Sequence, residues 1–125
     1  MKVLDIMHDV KVISPGLTVK EAADIMSKEA IGSLVIISNG KVAGIITERD
    51  ILRNIKRSKE KVDKVMSKNV ISVEDTDTIE RAAEIMTASK IKRLPVTRQG
   101  KLVGIITATD LIANSTSINE NFLLD

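Results

Sequence analysis

The chain has 125 residues, 43% of them hydrophobic, and its 19 basic and 17 acidic side chains leave a formal net charge of +2. That is enough to bury a core without staples, and so even a charge gives no basic face of the kind a general nucleic-acid binder presents. With no Cys and a lone histidine, His8, read as a surface residue, disulfides and Cys/His metal or catalytic centres are excluded; with Phe122 as the sole aromatic, so is a platform for stacking bases.

Taken in order, residues 2–7 place Val3, Ile6 and Met7 at helical spacing, and Val62, Val65 and Met66 repeat the pattern, so both stretches predict short lead-in helices. Lys11 to Ser14 (KVIS) and Asn69 to Ser72 (NVIS) are β-branched runs that predict short strands. Thr18 caps an amphipathic helix with Val19, Ala22, Ala23, Ile25 and Met26 on one face, and Thr78 caps its copy with Ile79, Ala82, Ala83, Ile85 and Met86. Strands at Ser33 to Ile37 and Lys41 to Thr47 flank Asn39-Gly40, a strong hairpin signal. Arg93 to Thr97 and Lys101 to Thr107 flank Gln99-Gly100 in the same way. Closing helices are predicted from Glu48 to about Arg57 and from Ala108 to about Asn114, with Arg57 to Lys61 as a solvated connection and the tail from Asn114 to Asp125 as a frayed or partner-docked end.

The chain is a duplication. Thr18 to Leu52 aligned without gaps on Thr78 to Ile112 gives 14 identical residues in 35 positions, far above chance. The fold class predicted is α/β (α+β): two pseudo-twofold-related β-α-β-β-α repeats packed through their sheets, because neither half buries much core alone. Repeat 1 with its lead-in helix is assigned to residues 1–60, repeat 2 to 61–115 and a tail to 116–125.

The signature of each half is Gly44 to Asp50, GIITERD, and Gly104 to Asp110, GIITATD. Each sets a hydroxyl and a carboxylate at a strand-to-helix junction beside helix-start N–H groups, a place suited to a polar ligand. Thr-x-x-Asp is equally a helix capping pattern, and the two roles are compatible. Gly44 and Gly104 serve close packing or ligand approach, and the sequence leaves both open.

These paired segments, the lead-ins ending at Ile6-Met7 and Val65-Met66 and the Arg-Leu-Pro-Val strand at Arg93 to Val96 resemble a tandem cystathionine beta-synthase (CBS) domain pair, or Bateman module, over essentially the whole chain to Asn114. The resemblance implies two clefts between the repeats that bind adenosine ligands such as AMP, ADP, ATP or S-adenosylmethionine, and a disc-like homodimer. It implies Asp50 and Asp110 as ribose anchors, with Thr47 and Thr107 bonding ribose or phosphate, and a base lodged near Val12, Ile13 and Ser14 in one cleft and Val70, Ile71 and Ser72 in the other. A carboxylate accepting from two adjacent hydroxyls is consistent with that role. Arg49, Lys92 and Arg93 would then supply the phosphate charge in the Asp50 cleft, whereas Gly32 and Ser33 stand at the matching strand position of the first repeat and leave the Asp110 cleft weaker for anionic tails.

The function expected is a non-catalytic sensor, since no nucleophile with its base is present, signalling in trans to a separate effector protein. No catalytic cofactor is expected, with Mg²⁺ a companion of ATP only. The alternatives are a dimerisation or interaction module with vestigial clefts, or a nucleic-acid-associated binder, which the charge balance disfavours. With no leader pattern and no apolar run long enough to span a bilayer, a cytoplasmic protein without membrane contact is expected.

Overall fold

A computed structural model describes residues 1–114. It is α+β, with two three-stranded sheets and four α-helices. The tail assigned to residues 116–125, with Phe122, lies outside the described residues.

The described residues divide into two compact units, one of residues 11–70 and one of Met1–Val10 with residues 71–114. In the first, β1 (Val12–Ile13) pairs in parallel with β2 (Ser33–Ser38), which pairs antiparallel with β3 (Lys41–Thr47). Helix α1 (Val19–Glu29) crosses between β1 and β2, and α2 (Glu48–Arg53) follows β3. Ile13, Ala22, Met26, Leu34, Ile36, Ile46 and Val62 form the core. Each side chain of Leu or Ile size so enclosed contributes about 1.5–3 kcal/mol by leaving water.

Local chemistry explains these elements. Thr18 accepts a hydrogen bond from the Glu21 N–H at 3.1 Å, while the Glu21 carboxylate accepts from the Thr18 N–H at 3.0 Å. That capping box answers two of the donors a helix start leaves over. The Asn39-Gly40 turn has φ of 54° and 75°, the left-handed pair that a tight hairpin demands. A bulge between Ile36 and Ile37 precedes the turn. Helix α2 is shorter than the predicted run to Arg57. It stops at Asn54, whose side-chain N–H donates to the Asp50 carbonyl at 2.8 Å, and Ile55–Arg57 continues as a separate 3-10 turn.

The other unit repeats the plan with β4 (Val73–Glu74), α3 (Ile79–Ser89), β5 (Arg93–Arg98), β6 (Lys101–Thr107) and α4 (Ala108–Asn114). Its core is Val3, Val73, Ile79, Ala82, Met86, Leu94, Val96, Ile106 and Leu111. The strand predicted at Asn69 to Ser72 falls later, at Val73–Glu74. The reason is a proline: in the first sheet the Val35 N–H donates to the Lys11 carbonyl at 3.0 Å, but the matching residue in β5 is Pro95, which has no N–H to offer Ile71. Pairing therefore begins beyond it, with the Asp75 N–H on the Thr97 carbonyl at 2.9 Å.

The lead-ins are single 3-10 turns, Val3–Asp5 and Val62–Lys64, rather than longer helices. Each serves the repeat that follows the other one in the chain. Sequence order placed the lead-in of residues 2–7 with repeat 1, yet Met1 accepts from the Ile79 N–H at 3.2 Å and Val3 donates to the Asp77 carbonyl at 2.8 Å. Correspondingly, Glu60 and Ser58 accept from the Val19 and Lys20 N–H groups at 2.8 and 2.9 Å. The connection read as merely solvated therefore completes the start of α1.

Candidate ligand-binding site

Each Thr-x-x-Asp motif sits where the third strand of a sheet becomes a helix. Strand β3 brings Thr47 opposite Ser33 at the start of β2, and the Glu48 N–H donates to the Gly32 carbonyl at 3.1 Å. In the other sheet Thr107 lies opposite Arg93, and the Ala108 N–H donates to the Lys92 carbonyl at 2.9 Å. The strand positions singled out in the sequence thus stand beside the motif of their own unit.

The acids are caps. Asp50 Oδ2 accepts from the Thr47 N–H at 2.9 Å and from the Thr47 hydroxyl at 3.1 Å, and Asp50 N–H points back at that hydroxyl at 3.4 Å. Asp110 Oδ2 accepts from the Thr107 N–H at 2.8 Å, and Asp110 N–H donates to the Thr107 hydroxyl at 3.2 Å. Such a cap leaves one carboxylate oxygen for other work. The helix-start N–H groups are less available than the sequence suggested, because those of Glu48 and Asp50 are satisfied within the unit.

The second oxygens differ. Asp50 Oδ1 has no hydrogen-bond partner among the described residues, whereas Asp110 Oδ1 is bonded to His8 Nε2 at 2.6 Å. His8 was read as a plain surface residue. Its ring is 64% exposed, but its backbone is fixed by two bonds of 2.9 Å with Ile105, one in each direction. Ser67 makes the same two backbone bonds with Ile45, at 2.9 and 3.0 Å, and carries no ring. The sequence offered no signal for this bond, because the two residues that make it are 102 positions apart.

The backbone at these two bridges accounts for both glycines. A Cβ on Gly44 would lie 2.5 Å from Met66 Sδ and 2.8 Å from the Ser67 carbonyl oxygen; on Gly104 it would lie 2.7 Å from that of His8. Close packing is reason enough for both.

Of the residues assigned to the base, Val12 is exposed while Ile13 is buried in the core, as alternate strand positions must be. Ser14 is exposed. In the other unit Ile71 and Ser72 are exposed, Val73 taking the buried position; Val70 ends the unit of residues 11–70. Arg49 and Lys92 are exposed and Arg93 is half-buried, and none of the three forms an ion pair among the described residues. Among the described residues no cluster of three or more potential metal ligands occurs, and no helix is long and apolar enough to cross a membrane.

A duplicated β-α-β-β-α unit with a Thr-x-x-Asp motif closing each sheet defines a class of paired module. The CBS domain model matches residues 3–57 and again 62–116, and the chain belongs to that family as a CBS domain pair. It is 34% identical over 112 residues to the CBS domain-containing protein YhcV of Bacillus subtilis, covering 86% of this chain and 80% of the relative. It is 37% identical over 109 residues to inosine-5'-monophosphate dehydrogenase of Methanocaldococcus jannaschii, where 86% of this chain covers only 22% of the relative. Among solved structures, the CBS-domain containing protein ATU1752 of Agrobacterium tumefaciens superposes with a TM-score of 0.83 at 29% identity, over 90% of this chain and 98% of that one. The CBS domain pair of protein MJ0100, in complex with 5'-methylthioadenosine and S-adenosyl-L-methionine, gives a TM-score of 0.84 at 29% identity over 90% and 94% of the two chains.

Proposed function

We propose that this CBS pair is a non-catalytic regulatory module that binds an adenosine-containing ligand through its Thr-x-x-Asp motifs and passes its occupancy to a separate protein. One observation carries the reading. Asp50 uses one carboxylate oxygen for its cap and keeps the other, Oδ1, without a partner among the described residues, and the same unit carries Val12 exposed on its outer strand. A diol donating to that oxygen and an adenine against Val12 match what the site offers. The adenosine compounds bound by the MJ0100 pair support the same ligand class.

Arg49, Lys92 and Arg93 are the cations assigned to a phosphate or other anionic tail, with Thr47 and Thr107 holding the acids in place. Ser33, Gly32, Ile13, Val70, Ile71 and Ser72 contribute backbone or small polar contacts. A homodimer in the cytoplasm acting on an effector in trans completes the proposal, with Mg²⁺ entering only alongside ATP.

Calorimetric titration with 5'-methylthioadenosine, S-adenosylmethionine, AMP, ADP and ATP, with and without Mg²⁺, tests it. Asp50→Ala is expected to weaken binding by about 1.5–3 kcal/mol, or roughly 10- to 150-fold, the value of a hydrogen bond to a charged group. Loss of the cap alone lowers stability by about 0.5–2 kcal/mol and leaves affinity in place. Lys92→Ala with Arg93→Ala should weaken AMP, ADP and ATP more than 5'-methylthioadenosine. Unchanged affinity in Asp50→Ala refutes the anchor.

The second reading, an interaction module with vestigial sites, draws on Leu52 and Ile55, which are 70% and 65% exposed on and just after α2. No heat with any adenosine compound, together with a dimer that Leu52→Lys dissociates, would favour it. The nucleic-acid alternative draws on Lys56, Arg57, Lys59 and Lys61, which line a shallow open depression with Ser58 and Glu60. A gel shift that weakens with salt is its signature.

A further inference from the structure

The two motifs share their Thr-Asp caps, their glycines and an adjoining backbone bridge, and the side chain carried at that bridge differs between them. His8 and Ser67 occupy the same place, each exchanging two backbone bonds with the third strand one residue beyond the glycine. The close approach at Gly104 holds the His8 backbone in position, so the ring meets Asp110 without a search. Its Nε2 lies 2.6 Å from Oδ1, the oxygen that the cap leaves over, and the carboxylate is 14% exposed.

We propose that His8 determines which ligands the Asp110 motif accepts: its imidazole occupies the oxygen a sugar diol needs, so a ligand reaches Asp110 only by displacing the ring. This rests on the adenosine-binding reading above. The ring is mostly solvent-exposed and makes no hydrogen bond but that to Asp110 among the described residues, so it can swing away while its backbone stays bonded to Ile105. The cost of breaking a charge-assisted bond is then subtracted from ligand affinity at Asp110, and no such cost applies at Asp50. The Asp50 motif fills first. The Asp110 motif answers only to a ligand that replaces the lost bond, which a vicinal diol does and a single hydroxyl does less well.

The test uses the full chain in an Asp50→Ala background, so that the second motif is read by itself, with 5'-methylthioadenosine and AMP as probes. Replacing the ring by the residue of the other repeat, His8→Ser, is expected to tighten binding at the Asp110 motif by roughly 10-fold or more. His8 is the chain's only histidine, so its ring resonances are resolved without assignment. In the otherwise unaltered chain, saturating ligand should move them toward the positions seen in Asp110→Asn without ligand, a readout that holds even if His8→Ser folds poorly. Unchanged or weaker affinity in His8→Ser, or a ring signal that stays put while the Asp110 motif is occupied, overturns this inference and leaves the adenosine reading standing. Failure of every adenosine compound to bind the unaltered chain overturns that reading, and the present inference with it.

Discussion

Replacing Gly44 by Ala puts a methyl group where the chain leaves no room, and the consequence can be worked out atom by atom. The new Cβ meets Met66 Sδ at 2.5 Å and the Ser67 carbonyl oxygen at 2.8 Å. The thioether can swing aside. The carbonyl cannot, because it accepts from the Ile45 N–H at 3.0 Å while the Ser67 N–H donates to the Ile45 carbonyl at 2.9 Å. Restoring ordinary contact moves the oxygen by several tenths of an ångström and stretches both bonds beyond useful length. Two hydrogen bonds at about 0.5–1.5 kcal/mol each give a loss of about 1–3 kcal/mol, the range also found for overpacked cores. Gly104→Ala meets the His8 carbonyl oxygen at 2.7 Å and should cost as much. In urea, with a slope of about 1–3 kcal/mol per molar, the midpoint of either variant should fall by roughly 1 M. Gly104→Ala should in addition shift the histidine ring resonances, and Gly44→Ala should not. A midpoint within error of the parent in both variants would refute the close-approach argument.

Two further outcomes concern stability. Ala30 ends α1 in the left-handed conformation, with φ of 54°, so Ala30→Gly removes a side-chain clash and should raise stability by about 0.5–1 kcal/mol in denaturant titration. The Glu21 carboxylate titrates below its usual value of 4.5, first because it accepts from the Thr18 N–H and then because it accepts from the Thr18 hydroxyl. Its contribution is therefore present above the unfolded-state value and lost as pH falls through the lower folded one. A plot of melting temperature against pH should drop less steeply on the acid side in Glu21→Gln than in the parent, and parallel curves would refute the assignment.

Local signals in the sequence carried much of this fold. Thr18 and Thr78 cap helices where a threonine before an apolar stripe indicates, and both predicted hairpins turn on left-handed residues. What could not be read locally was pairing over distance. Pro95 delays β4 because its missing N–H faces a strand more than twenty residues upstream, and nothing within Asn69 to Ser72 announces that. The Thr-x-x-Asp caps were legible as chemistry. The bond that separates one cap from the other was not, since His8 lies 102 residues from Asp110 and carries no pattern of its own. Likewise the lead-in turns were recognised as a repeated pair, but which compact body each one bonds to is decided by backbone bonds remote in sequence.

That exchange of lead-ins fixes where influence travels along the polypeptide. A tag or a modification on the first ten residues sits on the body holding Asp110, to which Val3 and His8 are bonded, although Asp50 is nearer in the sequence. Residues 11–70, by contrast, form one uninterrupted stretch, so releasing that body whole takes a cut between Val10 and Lys11 and a second between Val70 and Ile71, not one midway along the duplication.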